Sequence, residues 1–129
     1  MKNTTHLILG MLALTFGMEV KAQIQLPSVF SDGMVLQQNS KVAVWGWGNP
    51  SETLMILSGW NSGDTVRTVV DNQGRWKAEV PTGRAGGPYT LEVKGGNDSR
   101  KVSDVMLGEV WLCSGQSNME WSANMGIMN

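Results

Sequence analysis

A chain of 129 residues holds one ordinary domain and little more. Hydrophobic residues make up 41% of it and charged residues 16%, the balance of a globular chain with a core. Net charge is −1 and Lys and Arg form no block, which excludes the electrostatic footprint of nucleic-acid binding.

The chain opens as an export signal does. Lys2 supplies a positive start, Leu7 to Met18 an apolar stretch, and Val20-Lys21-Ala22 small or apolar residues for cleavage. Twelve apolar residues fall short of the ~20 that span a bilayer. Residue 23 is Gln, not Cys, so nothing points to a lipid anchor. The expectation is a signal peptide over residues 1–22, and a periplasmic or extracellular protein with no membrane attachment once the signal is removed. Removing Lys2, Lys21 and Glu19 from 10 basic and 11 acidic residues leaves 8 and 10, a net charge of −2. His6, the one histidine, leaves with the signal, so the mature chain has none.

From Gln23 to Asp104 short alternating runs stand between turn residues. Lys41–Trp47 is bounded by Asn39-Ser40 and by Gly48-Asn49-Pro50-Ser51, and Leu54–Leu57 closes at Asn61-Ser62-Gly63-Asp64. Val66, Thr68 and Val70 lead to the turn Asp71-Asn72-Gln73-Gly74. Trp76, Ala78 and Val80 then alternate with charged residues, as do Tyr89, Leu91 and Val93 with polar ones. Period-two alternation bounded by Gly, Pro, Asn and Asp marks half-buried strands. Several at this spacing predict an all-β sandwich over residues 23–104.

The pattern changes at Val105. Residues 105–113 (VMLGEVWLC) are mostly apolar on both parities, which predicts a strand buried on both faces, as in a parallel sheet covered by helices. Ser114-Gly115-Gln116-Ser117-Asn118 follows, small and polar, and residues 119–129 are too few to complete a domain. Residues 105–129 are therefore expected to be the start of a truncated α/β domain.

Ser117 is the candidate for chemistry. A serine in a Gly-containing turn after a buried strand exposes its oxygen while the strand holds it rigid, and its N–H near a helix start points at a developing oxyanion. The Gly-x-Ser-x-Gly elbow is not met, because Met119 takes the fifth place. On the residues alone, a plain turn serine is the commoner reading.

The stretch Gly108-Glu109-Val110-Trp111-Leu112-Cys113-Ser114-Gly115-Gln116-Ser117-Asn118-Met119-Glu120-Trp121 resembles the first catalytic block of the sialate O-acetylesterases, serine esterases of the SGNH-hydrolase superfamily. Leu26-Pro27-Ser28-Val29-Phe30-Ser31-Asp32-Gly33-Met34-Val35-Leu36-Gln37 resembles the opening of that family's β-rich N-terminal region. The resemblance implies that Ser117 is the nucleophile and its backbone N–H an oxyanion donor. It implies an acetylated glycan as substrate and removal of O-acetyl groups from sialic acids or related glycans. It also implies that a glycine amide, an asparagine side chain and an Asp-x-x-His lie in later blocks. Gln116 stands where the wider superfamily often has aspartate, as in this family. Lacking the histidine, these 129 residues are expected to be inactive alone.

No cofactor is implied. The mature chain offers one Cys and no His for zinc, and Asp71-Asn72-Gln73-Gly74 lacks the spaced ligands of a calcium loop. Cys113, in an apolar run, is expected to be buried and inert. Trp45 and Trp47 share one strand face and Trp60 lies beside a loop. These three are candidates for stacking on sugar rings, with packing the commoner role of such residues. Two other readings remain: a non-catalytic glycan-binding module and an acetylxylan-type esterase fragment.

Overall fold

The computed structural model describes residues 23–115; the expected signal segment and Ser117 lie outside them. Seven strands and no helix occur among the described residues: β1 (Val35–Gln37), β2 (Lys41–Trp47), β3 (Thr53–Ser58), β4 (Thr65–Val69), β5 (Arg75–Pro81), β6 (Gly86–Gly95) and β7 (Asp98–Gly108). They form a five-stranded sheet in the order β1-β7-β6-β3-β4 and a two-stranded sheet, β2-β5. All pairings are antiparallel except β1 with β7.

Alternation in the sequence becomes alternation of burial. Strand β5 buries Trp76, Ala78 and Val80 between exposed Arg75, Lys77 and Glu79. Strand β3 buries Leu54 and Ile56, β6 Leu91 and Val93, and β2 Val44. Side chains from both sheets meet in one hydrophobic core, since each sheet turns its apolar parity toward the other. Ile24 joins this core although no strand includes it. Asp98 Oδ2 accepts its N–H at 2.7 Å and Arg100 Nε donates to its carbonyl at 2.7 Å.

The turn at Asp71 carries the chain from β4, in one sheet, to β5, in the other. Asp71 Oδ1 accepts the N–H groups of Gln73 and Arg75, each at 2.8 Å, and Gly74 takes a φ of 76° that its missing Cβ permits. These bonds hold the Asp71 carboxyl below its ordinary range. The Arg75 N–H acts most strongly, and the Gln73 N–H and the Arg75 charge add to it against some desolvation.

Strand β7 departs from the predicted pattern. It runs unbroken across residues 104 and 105, so 105–108 pair within the five-stranded sheet. Two opposite register shifts lie along it: Leu91 faces Val102 while Tyr89 faces Val105, then Gly86 faces Leu107. The extra β7 residue falls where Asp104 adopts a φ of 55°, and it lets both Val102 and Val105 point inward. Val105 and Leu107 are buried, whereas Met106 between them is 39% exposed. The expected strand buried on both faces is therefore corrected to one buried on a single face over 105–108, because this sheet has its core on one side only. Beyond Gly108 the pairing ends; Val110, Trp111 and Leu112 are exposed, the last at 95%, and Cys113 is an exposed thiol instead of a buried one.

Candidate functional site

The two motifs singled out in the sequence lie side by side. Strand β1, from the first, pairs in parallel with the end of β7, where the second begins: Val35 faces Met106, Leu36 faces Leu107 and Gln37 faces Gly108. The turn before β1 is tied to β7 as well. Asp32 Oδ1 accepts the Ser103 N–H at 2.7 Å, Gly33 at a φ of 79° donates to the Ser103 carbonyl, and Met34 accepts from the Met106 N–H at 2.9 Å.

At the strand ends three long polar side chains interlock. Gln37 Nε2 donates to Glu109 Oε2 at 3.0 Å and Gln38 Nε2 to Glu109 Oε1 at 2.6 Å. Gln37 Oε1 accepts the Val110 N–H at 2.8 Å, and Gln38 Oε1 accepts the Ala85 N–H at 2.8 Å. The Gln38 N–H reaches the Gly108 carbonyl at 2.8 Å. Thr82 Oγ1, 2.6 Å from the Gln37 carbonyl, anchors the same turn to the end of β5. The donated amides of Gln37 first, then of Gln38, hold the Glu109 carboxyl below its ordinary range against some desolvation. Gln37 and Glu109 lie within the two motifs, with no role implied for either, and Gln38 directly follows the first. Their separation of 71 and 72 positions hides a contact that only the parallel pairing creates.

Ser117, the candidate nucleophile, lies outside the described residues, eight positions beyond Glu109. Among the described residues no group of three or more His, Cys, Asp or Glu is placed to hold a metal ion. The structure separates the candidate tryptophans. Trp45 and Trp47 lie on the outer face of the two-stranded sheet, each 41% exposed, with ring centroids 5.6 Å apart and planes at 75°. Phe30 meets Trp45 edge-on at 6.3 Å. Rings so crossed stabilise one another as a cluster and offer no common plane for a sugar. Trp60 is apart from them, half-buried against Tyr89, its Nε1 donating to the Pro81 carbonyl at 2.9 Å. Trp76 is in the core, with Nε1 3.2 Å from the Trp47 carbonyl.

No family model matches the chain. The sialate O-acetylesterase of Homo sapiens is 34% identical over 103 residues, 72% of this chain, and that of Mus musculus 30% identical over 105 residues, 75% of this chain. The chain spans only about a fifth of the length of these relatives, 19% in each case. A solved carbohydrate acetylesterase from Xanthomonas citri, XAC1771, superposes with a TM-score of 0.67 at 40% identity, covering 76% of this chain and 22% of that one. Over some three quarters of its length the chain is thus related in sequence to the sialate O-acetylesterases, and in sequence and fold to a carbohydrate acetylesterase.

Proposed function

We propose that this chain supplies the leading part of an exported serine carbohydrate esterase that removes O-acetyl groups from sialic acids or related glycans. In this reading a β-sandwich is followed by the opening of an SGNH-type α/β domain whose nucleophile is Ser117. The observation that carries the reading is the meeting, at β1 and the end of β7, of the two motifs that resemble the family, joined through Glu109. Two stretches some 70 positions apart in the chain form one structural junction, and the relatives matched are acetylesterases.

The chemistry follows from the residue types. Ser117 Oγ attacks the acetyl carbonyl carbon while a histidine from a later block takes its proton. The negative charge that develops on the carbonyl oxygen is met by the Ser117 N–H and by further donors from later blocks. The tetrahedral intermediate collapses, the C–O bond to the sugar breaks, and the histidine returns the proton to the departing hydroxyl. Water then attacks the acetyl-serine, and acetate leaves. Beyond residue 22 the sequence has no histidine to accept that first proton, so in this reading these residues need the later blocks for turnover.

The test uses a protein of the relatives' full length that contains these residues. It should release acetate from O-acetylated sialic acid, and Ser117→Ala should lower kcat/KM by at least ~10³-fold. Retention of activity in Ser117→Ala would overturn the assignment. Faster turnover of acetylated xylan than of acetylated sialic acid would move the substrate to a plant glycan on the same chemistry.

A further inference from the structure

Glu109 is gripped more completely than the end of an exposed strand requires. Both its oxygens are engaged, each by a different carboxamide. Each carboxamide is in turn fixed at its other end, Gln37 by the Val110 N–H and Gln38 by the Ala85 N–H. Three successive residues, Gly108 by its carbonyl, Glu109 by its carboxylate and Val110 by its N–H, are all held by Gln37 and Gln38. Ordering three long, exposed polar side chains costs rotamer entropy comparable to what their hydrogen bonds return, so the arrangement adds little net stability. What it does determine is direction. Strand pairing ends at Gly108, and these bonds set the course of the chain for the next two residues.

Resting on the reading of Ser117 as nucleophile, we propose that Glu109, clamped by Gln37 and Gln38, is a positioning residue. It fixes the direction in which the segment bearing Ser117 leaves the β-rich unit. In this reading the β-rich unit acts on catalysis by setting the course on which the chain starts toward Ser117. A displacement of about 1 Å costs up to ~10²-fold in rate.

The test has two arms. In the full-length esterase, Glu109→Ala and the double variant Gln37→Ala/Gln38→Ala should each lower kcat about 10- to 100-fold. KM, thermal midpoint and the pH profile should stay unchanged, because neither the sugar site nor the base is touched. Combining the three substitutions should lower kcat no further, since both variants break one clamp. Glu109→Gln, which keeps one acceptor oxygen, should recover part of the loss. In the 129-residue chain, the Val110 amide should exchange its hydrogen several-fold faster in Glu109→Ala, a readout independent of activity. Full kcat in Glu109→Ala beside an inactive Ser117→Ala overturns the clamp and leaves the esterase reading intact. Loss of kcat only in step with a falling thermal midpoint, or unaltered Val110 exchange, also overturns it. An active Ser117→Ala removes the esterase reading itself, whatever Glu109 does.

Discussion

Asp32 and Ser103 stand 71 positions apart, yet Asp32 Oδ1 accepts the Ser103 N–H at 2.7 Å. That amide belongs to the stretch of β7 where an extra residue breaks the ladder, and a side chain from the turn before β1 supplies the acceptor the neighbouring strand does not. Asp32→Ala should destabilise the fold by about 1 kcal/mol, below the usual value for a hydrogen bond to a charged group because the site is exposed. Asp32→Asn, which keeps an oxygen there, should recover most of that. Denaturant unfolding of the three proteins checks both.

Acid should loosen the bonds at two carboxylates. The Asp71 and Glu109 carboxyls both lie below their ordinary values of 3.8 and 4.5 in the folded chain. A carboxylate depressed on folding contributes stability that is fully present above its unfolded value and is lost as pH falls through the folded one. The contribution of each site, small at Glu109, should therefore hold at neutral pH and fade below about pH 4. Carboxyl carbon shifts followed by NMR should show Glu109 titrating below the unfolded value in the parent chain and at a higher pH in Gln37→Ala. Asp71→Asn should lower the thermal midpoint at pH 7 and leave it little changed at pH 2.

The Phe30–Trp45–Trp47 cluster should behave as packing. Trp45→Ala removes a partly buried ring from two edge-to-face contacts and should cost about 1–2 kcal/mol of unfolding free energy. Millimolar N-acetylneuraminic acid or xylose should leave the tryptophan emission of the chain unchanged. Saturable quenching that disappears in Trp47→Ala would instead favour the glycan-binding reading.

Cys113 should react with a thiol reagent in the native state as fast as in the unfolded chain, because it is exposed beyond the last paired residue of β7. Slow, unfolding-limited labelling would show that it is covered in solution.

Much of the architecture was legible from local pattern. Lys41–Trp47 is a strand with the predicted bounds, and the inward parity of Trp76, Ala78 and Val80 follows directly from their alternation with charged neighbours. A half-buried strand writes its burial into every second residue, so the sequence needs no partner to reveal it. The run after Asp104 misled for the same reason. Apolar residues on both parities read as burial on both faces, but Met106 turns outward between buried Val105 and Leu107, and beyond Gly108 the apolar residues are exposed.

By itself, then, the sequence determined that the chain is built of strands, which side of most of them faces the core, and that Ser117 sits in a motif resembling an esterase nucleophile block. Tertiary structure alone decided that β1 pairs in parallel with the end of β7, that Ile24 closes the core, and that Gln37 and Gln38 take hold of Glu109. The physical reason is range. Side-chain alternation is enforced residue by residue along the backbone, whereas these contacts join positions more than 70 apart and exist only once two sheets have closed over a common core.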